Sequence, residues 1–496
     1  MENEHRRSKT NNMNNKTSSI KKNFIMNTLL TMSGFIFPFI TFPYISRVLL
    51  DTGVGKVQFA TSIIAYFSMF AQLGIPTYGI RACAKVRDNK TELTRTAHEL
   101  LIINLIMNVI SYAVLALALI FVPRLHSDRL LLGIISLTIV LTSIGMEWLY
   151  KALEQYTYIT IRALVFKIIA IVAMFLFVRS EDDYVIYGGI SIFAASASNI
   201  LNLINAHKFI GFKPVGNYNL RRHLKPVAIF FAMACATIIY TNLDNVMLGF
   251  MTTDSDVGLY GAAVKIKTVL ISVVTSLGTV LLPRASYYIE QGNMEEFRKI
   301  TAKALNFVFL LATPLTLYFM LFAKQGVLLL SGEAFYGSIV PMQVIMPTLL
   351  LIGITNILGI QILVPTGREK TVLYSEIAGA VIDIIINALL IPTMHATGAA
   401  IGTLVAELVV LIVQYYVLRK EIRYAFRQIS YWKIAVGVLV GTALSIGTIY
   451  FGFGYFLTLL ISAILFFGSY GLVLLLSKEG MTTELINQGL ERIKRK

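Results

Sequence analysis

Fourteen apolar runs of about 20 residues follow one another along this chain of 496 residues, joined by short connections. A hydrocarbon core about 30 Å thick is crossed by roughly 20 apolar residues in a helix. Runs of that length fall near residues 23–46, 55–80, 98–122, 130–150, 158–178, 184–207, 226–250, 257–282, 302–322, 338–364, 372–391, 396–418, 432–451 and 455–476. They predict an all-α polytopic membrane protein of about 14 transmembrane helices, with no connection long enough to fold as a soluble catalytic domain. The chain is 56% hydrophobic and only 14% charged, where soluble domains carry about 25% charged residues. An ordinary cytosolic enzyme and a disordered chain are both excluded. The formal net charge of +16 invites a nucleic-acid partner, but so apolar a chain does not suit one.

The basic residues are placed unevenly. The N-terminal tail, the connections after the even-numbered spans and the C-terminal end, with their flanking turns, hold 33 of the 43 Lys and Arg. The opposite connections hold six, Arg47, Lys56, Arg124, Arg129, Arg179 and Lys324. The positive-inside rule then sets both termini in the cytoplasm, as an even number of spans also requires. The polar, Asn-, Lys- and Arg-rich first 22 residues read as a solvated tail and lack the apolar core of a cleavable signal.

Against itself the chain shows one clear register, an offset of 203 residues. Val54-Gly55, Ala60 and Ile63 fall on Val257-Gly258, Ala263 and Ile266, and Arg81-Ala82, Glu92 and Arg95 fall on Arg284-Ala285, Glu295 and Arg298. If spans 1–6 repeat as 7–12, the halves share an orientation and a central site lies between them. The expected organisation is a cytoplasmic tail (1–22), a six-helix bundle (23–208), a linker (209–225), a second six-helix bundle (226–418), a linker (419–431), two additional helices (432–476) and a cytoplasmic tail (477–496).

Charges at membrane depth are costly and face protein or water, so they are site candidates. Asp244 sits with Asn242 in a polar island, Tyr240–Asn245, of an otherwise apolar span. Asp383 and Glu407 lie deep in spans 11 and 12, with Glu376 nearer the edge; each could carry a coupling proton or make a packing contact to Asn387 or Thr403. Lys265 and Lys267 are two residues apart, about 200° around a helix, so both cannot face one cleft; one of them could pair with Asp244. Arg162 and Lys167 lie in span 5, within snorkelling reach of the cytoplasmic edge. Arg81 and Arg284, equivalent by duplication, suit bidentate phosphate capture, or else they merely obey the positive-inside rule. Arg47 is either an outward cation for substrate or a partner of Asp51. Pro38 and Pro43 in span 1, Pro314 in span 9, and Pro341 and Pro347 in span 10 mark bends, with span 1 the favoured gate. Gly437, Gly441 and Ser445 form a small-residue packing stripe.

No metal or cofactor is expected. The six histidines have no ligand spacing, Cys83 and Cys235 make no framework, and no Walker A sequence is present, so catalytic residues and ATP hydrolysis are both unexpected.

Pro43–Leu49, Gly74–Arg81 with Lys85–Lys90, Glu147–Tyr150 with Tyr158–Arg162, Asn242–Gly249, Val364–Lys370 and Gly398–Gly402 together resemble bacterial polysaccharide repeat-unit flippases of the Wzx type. The resemblance covers spans 1–12. It implies the multidrug/oligosaccharidyl-lipid/polysaccharide exporter fold, in which two six-helix bundles form a cleft beside two extra helices. It implies a monomer in the bacterial cytoplasmic membrane that moves undecaprenyl-pyrophosphate-linked oligosaccharide from inner to outer leaflet for capsule, O-antigen or exopolysaccharide assembly. Its partners would be that lipid-linked oligosaccharide, membrane lipids, and a polymerase and chain-length regulator. A multidrug or small-metabolite exporter on the same fold, and a membrane-embedded polymerase or glycosyltransferase, are the competing readings.

Overall fold

The structure, a computed structural model, describes residues 20–484; most of the expected polar tail and the end of the C-terminal tail lie outside the described residues. Among the described residues every regular element is helical. Eleven helices are long and apolar enough to cross a membrane, and a pair bent by 45°, Glu333–Ile345 with Thr348–Leu363, makes a twelfth if counted as one span. The bend falls at Pro347, between the two segments. The difference from fourteen lies in two long helical runs, Lys22–Lys85 with 64 residues and Glu369–Arg427 with 59. Each covers two of the expected apolar runs. A straight helix of that length would reach about 90 Å, some three times the hydrocarbon thickness. Each run contains a non-helical residue, Leu50 (φ 54°, ψ −170°) and His395 (φ 52°, ψ −131°) respectively.

The chain forms two compact units. The first holds residues 20–49 and Lys56–Asn242; the second takes Leu50–Gly55 and residues 243–484.

In the first unit, α1 (Ile20–Gln72) leads through Gly74, at φ 70°, into α2 (Ile75–Lys85). A side chain at Gly74 would stand 2.5 Å from the Phe230 backbone. Asn89 caps α3 (Lys90–Phe121), its Oδ1 accepting from the N–H groups of Thr91 (3.1 Å) and Glu92 (3.2 Å). The one-turn helix Pro123–His126 precedes α4 (Arg129–Gly145), α5 (Glu147–Ala152) and α6 (Tyr156–Phe177). A π-helical stretch, Phe193–Ala197, joins α7 (Tyr184–Ile192) to α8 (Asn199–Asn205). The core of this unit gathers Ile75, Cys83, Leu100, Trp148 and Leu149, and bare Gly79 lets α2 lie on the Trp148 ring.

The helix α9 (Arg221–Met251) passes from the first unit into the second. There α10 (Asp254–Glu290) begins with a capping box between Thr253 and Asp256. It is followed by α11 (Met294–Leu321), α12 (Ala323–Ser331), α13 (Ile339–Ile345), α14 (Thr348–Asn356), α15 (Glu369–Arg427), α16 (Tyr431–Ser445) and α17 (Tyr455–Leu476). The small-residue stripe makes a close contact within the last pair: a side chain at Gly437 would meet the Tyr470 ring at 2.8 Å, and one at Gly441 the Phe466 carbonyl at 2.9 Å. Phe466, Tyr470 and Val438 share one core with Leu305, Phe322 and Leu358. The last two helices are therefore built into the second unit.

Pro38 and Pro43 lie inside α1, and Pro314 inside α11. The non-helical residue of α1 is Leu50, beyond both of its prolines. Pro341 lies inside α13.

Candidate functional site

The second unit buries a cluster of polar side chains drawn from α9, α10 and both parts of α15. Asp244 is its centre. Its Oδ1 accepts from Asn387 Nδ2 at 2.6 Å, and its Oδ2 accepts from the Thr403 hydroxyl at 2.8 Å and from the Tyr260 hydroxyl. The Tyr260 and Thr403 hydroxyls are also 2.8 Å apart. Asp383 lies close enough to Asp244 for the two carboxyl groups to interact, and Asp383, Asn387 and Glu407 are all buried. Gly402 makes room for them: a Cβ there would stand 2.1 Å from Asn387 Oδ1 and 2.8 Å from Asp383 Oδ1. These two oxygens have no hydrogen-bond partner.

Two carboxylates sharing a buried site do not both stay ionised unless a cation lies beside them; otherwise one of them holds a proton. Lys267 lies within electrostatic range of Glu407, Asp244 and Asp383. The sequence left either lysine open as the partner of Asp244; the structure turns Lys267 toward the acids. Lys265 is half-buried on α10. Asn242 stands apart from the acids, donating its amide to the Ile238 carbonyl at 3.0 Å and to the Thr241 hydroxyl.

In the first unit, α6 carries two cations inward. Arg162, buried, donates to Asn199 Oδ1 (3.0 Å), Glu147 (3.4 Å) and the Ser198 hydroxyl, while its Nε has no partner. Lys167 donates to the Ser33 hydroxyl of α1 at 2.7 Å. Glu147 also pairs with Lys151 at 2.8 Å, as the i, i+4 spacing suggests. The phosphate candidates Arg81 and Arg284 are exposed, as is Arg47. Arg81 lies on α2 and Arg284 on α10, and Arg47 donates back to the Pro43 carbonyl of its own helix.

One cluster escaped the sequence reading. Glu99, fully buried in the third turn of α3, accepts from the Asn219 N–H (2.6 Å), Arg222 Nε (2.9 Å) and His223 Nε2 (2.7 Å). His223 Nδ1 meets the Tyr78 hydroxyl at 2.8 Å. These contacts, with His98 on the Gly211 carbonyl at 2.7 Å, fasten the connection after α8 to the first unit. The only hint was an acid next to a histidine at the edge of an apolar run.

A family model described as a polysaccharide biosynthesis protein matches residues 20–289, more than half of the chain. The chain belongs to this family. A second model, MatE, matches residues 228–389. A protein of Escherichia coli (strain K12) named "Putative O-antigen transporter" is 24% identical over 400 residues, covering 80% of this chain and 96% of its own length. Its namesake from Shigella dysenteriae is also 24% identical, covering 79% and 98%. Among solved structures, Lipid II flippase MurJ in an inward closed conformation superposes with a TM-score of 0.64 at 15% identity, covering 90% of this chain and 99% of its own. A multidrug resistance MATE family transporter in an inward-facing conformation gives 0.59 at 15% identity, covering 79% and 99%. The fold of this family member is thus the polytopic helical fold those transporters share.

Proposed function

We propose that this chain is a flippase for lipid-linked oligosaccharide repeat units in the bacterial cytoplasmic membrane. It crosses the membrane fourteen times with both termini in the cytoplasm, the two long helical runs each making two crossings about Leu50 and His395. Its cargo is an oligosaccharide on undecaprenyl pyrophosphate, moved from inner to outer leaflet by alternating access of two duplicated bundles. It is a transporter and not an enzyme. The observation that carries this reading is the near end-to-end match to a protein named for O-antigen transport, 96% of whose length aligns here. The exposed Arg81 and Arg284, equivalent in the repeat, are the proposed pyrophosphate contacts, with Arg162 and Lys167 supporting them within the first unit.

Coupling resides in the second unit. A buried pair of carboxylates, with Asp383 Oδ1 and the Asn387 amide oxygen beside them lacking hydrogen-bond partners, takes up and releases a proton or a hard monovalent cation as the bundle changes state. The same cluster would serve a cation-extruding exporter, the reading the MatE match favours. One experiment separates them. Depletion of the protein should leave lipid-linked repeat units on the cytoplasmic leaflet, scored by the access of an impermeant sugar-modifying reagent. Normal outer-leaflet levels in depleted cells would refute the flippase.

A further inference from the structure

The second unit takes six residues, Leu50–Gly55, out of the first repeat, and there they meet their own duplicate. In the 203-residue register Asp51-Thr52-Gly53-Val54-Gly55 falls on Asp254-Ser255-Asp256-Val257-Gly258, so both repeats carry Asp, a hydroxyl residue, Val and Gly in the same order. The contact between them is reciprocal. A Cβ built on Gly55 would stand 1.7 Å from the Asp254 carbonyl oxygen, and one on Gly258 would stand 2.0 Å from the Asp51 carbonyl oxygen. Each glycine thus lies against the backbone carbonyl four residues upstream of the other. Backbones this close tolerate no side chain, and neither obstacle is a side-chain tip that could swing away. The Ser255 hydroxyl donates to Asp51 Oδ2 across the contact, and Val54 and Val257 are both buried beside it.

A second observation points to movement here. Leu50, immediately before the segment, holds φ 54° and ψ −170°, a conformation that a residue with a Cβ avoids unless its surroundings impose it. The residues before Leu50 and after Gly55 belong to the first unit. The segment is a short strap with a strained joint at one end.

We propose that the two Asp-(Thr/Ser)-x-Val-Gly segments form a latch, closed in this structure, that parts when the protein opens on the extracytoplasmic side. The inference rests on the flippase reading for its sidedness, because that topology puts both segments outside. Two carbonyl–glycine contacts and a side-chain hydrogen bond give a small, dry, symmetric closure that can part and re-form without unfolding any helix. Glycine in both repeats is then a requirement of closing.

The test uses the full chain with Cys83 and Cys235 replaced by serine and the reporter V257C, at a fully buried position. An impermeant maleimide is added outside intact cells. With the native glycines labelling should be slow; Gly55→Ala or Gly258→Ala should raise its rate at least fivefold and lower repeat-unit transport, with membrane insertion unchanged. Should the alanine variants fail to accumulate, S255A removes the cross-contact hydrogen bond without adding bulk and should raise labelling about twofold. Labelling unaffected by any of these changes overturns the latch. Labelling only in inverted vesicles instead overturns the orientation taken from the flippase reading, and a result of that kind is distinguishable because the glycine effect would persist on the other face.

Discussion

Replacing Asp244 separates the structural from the chemical role of the buried cluster, provided two substitutions are compared. In Asp244→Asn the shape is kept. With the new oxygen at the Oδ2 position, Tyr260 and Thr403 still find an acceptor. The new nitrogen then faces Asn387, whose amide can turn over and offer its Oδ1, an atom with no partner in the native chain. The Tyr260 and Thr403 donors remain satisfied and no cavity opens, but the turned Asn387 Nδ2 moves to the place its partnerless Oδ1 held and gives up its acceptor. What is lost is that one bond and the charge-assisted part of the others, worth about 1–2 kcal/mol in total once the relief of a desolvated charge is counted against it. In Asp244→Ala the acceptor disappears. Thr403 can fall back on the Ala399 carbonyl at 3.2 Å and Tyr260 on Thr403 at 2.8 Å, but Asn387 Nδ2 is orphaned beside a small cavity. That variant should cost about 2–4 kcal/mol. Thermal unfolding in detergent should therefore rank wild type slightly above D244N and both well above D244A. Outer-leaflet repeat units should fall at least tenfold in both variants, since neither can share a proton or cation with Asp383. Wild-type transport by D244N would refute the coupling role and return the cluster to packing. Equal destabilisation by the two variants would refute the hydrogen-bond map.

Two further outcomes follow from other parts of the chain. The double variant Arg81→Ala, Arg284→Ala removes two exposed cations and should leave folding within about 0.5 kcal/mol of wild type while abolishing transport; full transport would show that both arginines serve only topology. Glu479, buried just past α17, accepts from Asn306 Nδ2 (2.9 Å) and from the Thr482 N–H (2.8 Å) and hydroxyl (2.9 Å). Burial pushes its carboxyl up, but the bonds from Thr482 and Asn306 outweigh it and hold the group below the ordinary carboxylate value. A depressed folded value stabilises above the unfolded pKa of about 4.3, and the contribution is lost as pH falls through the folded value. The melting temperature should thus decline with acidification below about pH 4.3, and Glu479→Gln should flatten that decline.

The apolar runs revealed the helices because a membrane admits few other solutions, and the acids of the second half were visible because charge is rare at that depth. Asp244, Asp383 and Glu407, together with the suggested contacts Asn387 and Thr403, were all readable in this way. Tyr260 was not, since one tyrosine among 24 carries no mark of a buried hydroxyl bond. Gly402 was quoted for its motif, but its need for a bare backbone depends on which oxygens approach it. The breaks at Leu50 and His395 were illegible for a different reason. Neither residue is glycine or proline, so each takes its left-handed φ from the packing around it, which sequence patterning does not record. Glu99 was overlooked because its partners, Asn219, Arg222 and His223, are more than 100 residues away along the chain.

The duplication separates these features into two groups. At the head of the second helix of each repeat the aspartate and glycine are the same and make the same contact. Asp51 and Gly55 answer to Asp254 and Gly258, and each glycine lies against the other repeat's carbonyl. In the buried polar cluster the repeats have diverged. In the same register Asp244 falls on Thr41, Tyr260 on Val57 and Lys267 on Ile64. Thr41 is buried and its hydroxyl donates to the Phe37 carbonyl of its own helix at 3.0 Å, so the first repeat has a satisfied hydroxyl where the second has a carboxylate. A buried charge is retained only where something is gained from its cost, and a packing role would have been met equally well by the threonine solution. The acid is present in only one of two copies of the same scaffold. That difference supports the coupling role proposed for the second unit.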